Sequence, residues 1–341
     1  MCPRSAEALV VVSPGTDVAP TGTSDPGWNN VTVAGGRNFI YLGDGWAISA
    51  RHVGPQITDA ANLQALQFST GSFNLIKNQN FIVDNPASLT LGGATVAHPL
   101  PPDPYESDLR LVRLDTDPGL PSIFDANPKF TIPSQPPAVV SQVMVVGSGP
   151  SRNSGETNWN SSWQTVPPNA GPVAFTGFTA SNQPQDIIKR WGTNNLVNAN
   201  SVSNILNQVL SPTTGVVALV TPDGYTRDVA SLVASFDQNV GSPSYESQVV
   251  PGDSGSGVFY KNGNQWNLVG IADAQFIYTN QPGLTAMYGD LTTYIDLAYY
   301  HDQIFNIINA HKNYSISGDI NLDGNLCGDG SPACGSSDVA A

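Results

Sequence analysis

Glycine and proline recur every few residues along the 341-residue chain, 33 and 27 of them respectively. Neither suits the interior of a helix: glycine loses the most backbone freedom on ordering, and proline lacks the amide hydrogen that a helix uses. The runs between them favour Val, Ile, Thr, Tyr and Phe, as in "NVTVAGGRNFIYLGDGWAISARHV" at 30–53. Such residues fit a pleated, half-buried surface, and "GDG" at 43–45 is a hairpin signal. The pattern predicts an all-β protein of short antiparallel strands. The length is enough to bury a sizeable core, as one large domain or two medium ones.

Residues 1–28 read as a leader or linker. "MCPRSAEALVVV" has one short apolar stretch and reads as a truncated signal peptide, with "AEA" at 6–8 in the style of a cleavage site. Residues 12–29 carry turn formers without periodicity. A globular region follows over 29–312. Its first set of strands, about 29–133, includes "LQALQFS", "FIVDN", "TVAHP" and "DLRLVRLD". The Pro-rich "PSQPP" marks a boundary, and a second set runs over about 138–294, opening on the apolar "AVVSQVMVVGSG". Within it, 150–215 is rich in Asn, Ser, Gly and Pro and reads as long loops. In "LTTYIDLAYYHDQIFNIINAH", Ile295, Ala298, Ile304, Phe305 and Ile308 fall near helical spacing and predict a helix over 295–311.

The formal charge of −14 excludes nucleic acid and anionic membrane as partners, since both repel an acidic surface. No run reaches the roughly 20 apolar residues of a helical membrane span. Cys2, Cys327 and Cys334 are the only cysteines, and two of them lie in one short tail. The main core must therefore hold without disulfides.

Chemistry concentrates in "QVVPGDSGSGVFY" at 248–260. Acyl transfer needs a hydroxyl nucleophile, an imidazole base, a carboxylate that fixes the imidazole tautomer, and N–H donors for the developing oxyanion. Gly252 permits a turn in which the N–H groups of Gly252 and Ser254 aim at one spot. Read alone, the segment is equally a small-residue turn between strands. His52 follows the apolar "GWAIS", and Asp108 precedes "LRLVRL"; each alone is a structural or turn residue. Other nucleophile arrangements fit poorly: the Gly-x-Ser-x-Gly of an α/β-hydrolase fails at Ser256, and the long helix it requires does not follow Ser254. None of His52, His98, His301 and His311 has a partner at metal-ligand spacing, so no cofactor is expected for catalysis.

Taken together, "ISARH" ending at His52, "SDLRLVRL" containing Asp108 and "GDSGSG" containing Ser254 resemble, in that order, the three active-site segments of the trypsin-like (chymotrypsin-fold) serine peptidases. The resemblance covers about 28–311. It implies two antiparallel β-barrels packed face to face with a C-terminal helix, a triad of His52, Asp108 and Ser254, an oxyanion hole from Gly252 and Ser254, and a monomer acting on protein or peptide substrates. "AHP" at 97–99 matches a non-catalytic segment and makes His98 structural. The chain departs from the family in three ways. Its core lacks cysteines, as in bacterial relatives; no "IVGG"-like segment follows a basic residue near the start, so activation by a new amino terminus pairing with Asp253 is not expected; and Gln248 stands where trypsin has an aspartate in its specificity pocket. "LVGIADA" is expected to place Ala272 or Asp273 on that pocket's wall, where Asp273 would restore a preference for basic residues.

In the tail, "GDINLDGNLCGDG" sets Asp319, Asn321 and Asp323 at alternate positions before Gly324, the spacing of oxygen ligands and sharp turn in a calcium loop. Asn325 adds a backbone carbonyl, and Asp338 stands in for the missing acid at the twelfth position. The stretch 315–341 resembles dockerin-like calcium repeats. That resemblance implies calcium, a secreted or cell-surface location, a surface partner, and a bridge between Cys327 and Cys334. The alternatives are a solvated acidic tail and, for the whole chain, a binding or scaffold module without useful catalysis.

Overall fold

A computed structural model describes residues 2–5, 7–13, 16–32, 38–53, 65–85, 90–91, 94–95, 106–153, 155–181, 183, 187–220, 226–238 and 245–311. The expected calcium ligands Asp319, Asn321, Asp323, Asn325 and Asp338, the cysteines Cys327 and Cys334, and His98 lie outside the described residues.

The first half is a four-stranded antiparallel sheet of β1 (Ile40–Gly43), β2 (Trp46–Ala50), β3 (Leu75–Asp84) and β4 (Glu106–Leu114), in spatial order β1-β2-β4-β3. The second half contains β5 (Gln142–Gly149), β6 (Ile188–Asn195), β7 (Thr226–Ser235), β8 (Ser247–Gly252), β9 (Gly257–Asn262), β10 (Gln265–Ile277) and β11 (Leu291–Asp296). Six of these form the antiparallel path β6-β5-β9-β10-β11-β7. The path closes on itself where Leu196, just past β6, bridges to Ala234 in β7 and the amide of Val197 donates to the carbonyl of Val233 at 2.9 Å. Closure leaves no free sheet edge at that seam. The all-β class with a C-terminal helix, read from the sequence, is the one observed.

Side-chain alternation explains why these strands read as unbroken apolar runs. Val143 and Val145 of β5 face the interior shared with Leu232, Val258, Val269 and Tyr294. Their neighbours Met144 and Val146 face the core shared with the first sheet, among Ile40, Leu111, Phe259 and Ile295. A strand buried on both faces has no polar face to alternate with.

Three boundaries differ from the sequence reading. The supposed leader contains a strand, Glu7–Val11, paired antiparallel with β8, and Leu9, Val10 and Val11 are buried; an apolar β-branched run that short is indistinguishable by periodicity from a signal-peptide fragment. The stretch 150–215 supplies β6, a full barrel strand, because "IKRWGTNN" needs no apolar alternation to pair all along β5. The helix α1 spans His301–Ala310 and not 295–311. Leu291–Asp296 is held as a strand between β10 and β7, where Thr292, Thr293 and Ile295 carry the β-branched side chains that strands favour. Ile304 and Ile308 then anchor α1 to the common core. The helix also meets the first sheet, where the His311 and Phe81 rings lie 4.3 Å apart.

Candidate active site

Two bulges and one tight turn bring the chemical groups together between the halves. His52 lies in the turn just after β2. In β4 the register against β3 slips between Glu106 and Leu109, leaving Ser107 and Asp108 as extra residues. Asp108 is thus inside a strand and not ahead of one. A bulge leaves its residues outside the ladder and re-aims their side chains. The Ser107 hydroxyl donates to the Val83 carbonyl at 2.6 Å and steadies the bulge. The amides of Arg51 and His52 donate to the Asp108 carbonyl and Oδ1, at 2.8 and 3.1 Å.

Asp108 Oδ2 accepts a short hydrogen bond from His52 Nδ1. On the other side of the ring, His52 Nε2 lies 2.7 Å from Ser254 Oγ. Asp108 is fully buried and Ser254 is 4% exposed, while His52 between them is only partly buried, so the carboxylate is the most shielded of the three groups. Burial works against a charged imidazole, but the Asp108 carboxylate beside it outweighs this and holds the His52 pKa above its ordinary value. Burial likewise disfavours the Asp108 anion; the charge and hydrogen bonds of His52, with a further bond from Asp273, overcome it and keep the Asp108 pKa low.

Ser254 sits in the turn from β8 to β9. Gly252 and Gly255 adopt φ values of +113° and +85°, a region costly for residues with a side chain. A Cβ at Gly255 would come within 2.2 Å of the Asn38 carbonyl oxygen and 2.4 Å of Ser49 Oγ. Asp253 is buried and its Oδ2 accepts from the Val250 amide at 3.0 Å.

Asn38, which the sequence reading passed over, fastens this turn. Its Nδ2 faces the carbonyls of Gly252, Ser148 and Ser254 at 3.1, 3.2 and 3.3 Å, and its Oδ1 accepts from the Ser148 amide at 2.6 Å. Ser49 Oγ in turn donates to the Asn38 carbonyl at 2.6 Å. One buried amide from the first half thereby ties β5 and the serine turn. In sequence it is one more polar residue after "AGGR"; only the long-range fold gives it partners.

The structure corrects the pocket expectation at Asp273. Gln248 is buried with its amide bound to β11: Nε2 donates to the Leu291 carbonyl at 3.3 Å and Oε1 accepts from Thr292 Oγ1 at 3.0 Å. Ala272 is buried, its carbonyl and amide paired with Gly255 and Ser256 of the serine turn. Asp273, 1% exposed, turns its carboxyl inward to Asp108. The inversion has a physical cause: Asp273 is the extra residue of a second bulge, where β10 slips against β11 between Ala272 and Ala274. The backbone edge of β10 beyond it, Ala274–Ile277, pairs antiparallel with Cys2–Ser5.

No family model matches the chain, and no curated protein is similar to it in sequence. Among solved structures, a scabies mite inactivated protease paralogue, S-D1, aligns over 82% of this chain and 90% of its own, at 14% identity and a TM-score of 0.39.

Proposed function

We propose that the protein is a serine endopeptidase that cleaves peptide bonds of protein substrates through an acyl-enzyme, and that it works outside the cell. The observation that carries this reading is the continuous contact Asp108–His52–Ser254, with 2.7 Å between His52 Nε2 and Ser254 Oγ, inside the distance a general base needs. His52 takes the Ser254 proton as Oγ attacks the substrate carbonyl carbon. The carbonyl oxygen becomes an oxyanion beside the Gly252 and Ser254 amides. His52 then protonates the leaving amine, the C–N bond breaks, and an ester to Ser254 remains. Water, deprotonated by the same imidazole, releases the acid and restores the serine. Asp108 stays ionised throughout and stabilises the imidazolium.

A fluorophosphonate probe tests the nucleophile without knowledge of the substrate. The wild type is expected to label, and Ser254→Ala to lose all label while keeping the wild-type circular dichroism spectrum. A folded wild type that takes up no label would overturn the enzymatic reading in favour of a binding module.

A further inference from the structure

The triad does not end at Asp108. One nitrogen of His52 and one carboxyl oxygen each of Asp108 and Asp273 lie within 4.8 Å of one another. Two carboxylates at such range cannot both stay ionised away from water, since each charge raises the other's proton affinity. Asp108 is already committed as an acceptor, Oδ1 to the His52 amide and Oδ2 to His52 Nδ1. No other hydrogen bond reaches either Asp273 oxygen among the described residues; the contact with Asp108 is all they have. The shared proton therefore belongs to Asp273.

We propose that Asp273 is a neutral carboxylic acid whose O–H donates to Asp108, making it a positioning residue that holds the Asp108 carboxylate in line with His52. The inference rests on the catalytic reading above for its consequence, but not for its chemistry. Asp273 also meets the serine turn directly, because its backbone carbonyl lies 3.4 Å from Ser254 Oγ. One residue thus touches both ends of the triad, through its side chain at Asp108 and its backbone at Ser254. Burial, the Asp108 charge and the hydrogen bond to Asp108 all push the Asp273 pKa upward.

The other polar groups around the pair do not supply a competing proton. The Tyr300 hydroxyl, just before α1, donates to Asn85 Oδ1 at 2.7 Å and accepts from the Ala230 amide at 3.1 Å. Arg110 of β4, whose charge opposes that of His52, sends a donor to the Arg51 carbonyl.

The test is a His52 imidazole titration followed by NMR, together with the infrared difference spectrum between wild type and Asp273→Asn at neutral pH. Both read the ground state and need no substrate. A neutral Asp273 predicts a protonated-acid carbonyl band lost in Asp273→Asn, and a His52 midpoint that the amide leaves nearly in place. An ionised Asp273 predicts no such band and a midpoint that falls by about one unit or more on losing the charge; that result overturns the proposal. For positioning, Asp273→Ala is expected to slow fluorophosphonate labelling of Ser254 by about ten- to a hundredfold, as for a lost hydrogen bond to a charged group, and Asp273→Asn to recover most of that loss. Equal labelling in wild type and alanine variant would refute the positioning role. If nothing labels at all, the catalytic reading fails while the proton's place is still decided by the two spectra.

Discussion

Asn38→Ala is expected to damage stability and reactivity together. The substitution leaves the Ser148 amide, bound at 2.6 Å in the native protein, buried and without its acceptor. It also withdraws Nδ2 from the carbonyls of Ser148, Gly252 and Ser254. An amide group has two hydrogens, so these three contacts amount to two full bonds at most. An orphaned buried N–H costs about 1–3 kcal/mol and each lost neutral bond about 0.5–1.5, which gives about 2–6 kcal/mol in all. Carbonyls tolerate under-pairing better than amides, which places the loss in the lower half of that range.

Reactivity follows because the freed carbonyls belong to Gly252 and Ser254, the residues whose amides face the oxyanion in the proposed mechanism. Deleting one such donor outright typically costs about 10²–10³ in rate; loosening two is expected to cost about ten- to a hundredfold. The assays are the urea midpoint and the second-order rate of fluorophosphonate labelling. Asn38→Asp sharpens the comparison: its anion keeps the Ser148 contact but faces three carbonyls with no proton, so it should label more slowly than Asn38→Ala. An alanine variant with an unchanged urea midpoint and labelling within about threefold of wild type would refute the account, since the Asn38 bonds would then carry less than about 1 kcal/mol.

Two titrations complete the set. In the proposed mechanism His52 acts as a base only when unprotonated, and Asp108 raises its pKa, so labelling of Ser254 should fall with decreasing pH through a midpoint above the ordinary imidazole value of about 6.5; a midpoint below that value would contradict the ion pair. Asp290 is buried and accepts from the Met287 amide and from Gln275 and Gln281, and burial lifts its pKa to about 7. Between about pH 4 and 7 the folded chain holds a proton that the unfolded chain has shed, so this group's contribution to stability falls as pH rises through that window and levels off above it. Asp290→Asn should make the slope of Tm against pH shallower there, with Asp296, whose pKa is raised to about 6, supplying part of what remains; parallel curves would rule out the assignment.

Much of the candidate site was legible because its segments carry local signals. "GDSGSG" needs two glycines at positive φ, and "SDLRLVRL" shows its core strand plainly. What escaped depends on pairing partners far away in sequence. Nothing near Asn38 announces that its amide will meet residues 110 to 216 positions later. The family resemblance of "LVGIADA" points Ala272 or Asp273 at a pocket wall, and it does not show the extra residue that turns the Asp273 side chain to the other face. Helix α1 was drawn too long for a related reason: the apolar spacing of 291–298 fits both periods, and only the neighbouring strands decide between them.

The two bulges explain why the polar cluster lies between the halves and not inside either one. Asp108 leaves the ladder of β4 and Asp273 leaves that of β10, and each carboxyl is turned toward the other across the gap between the halves. His52 completes the first side, Ser254 the second, so the 2.7 Å contact between them is a distance between two different sheets. Its length is set by whatever docks those sheets: Asn38 on the serine turn, and Asn85, which accepts from Tyr300 and donates to the Asp228 carbonyl at 2.8 Å. A base that must lie within about 3 Å of its nucleophile tolerates little drift. Substitutions at those docking residues should therefore lower reactivity in proportion to how far they loosen the seam, even though Asn85 touches none of the reacting atoms.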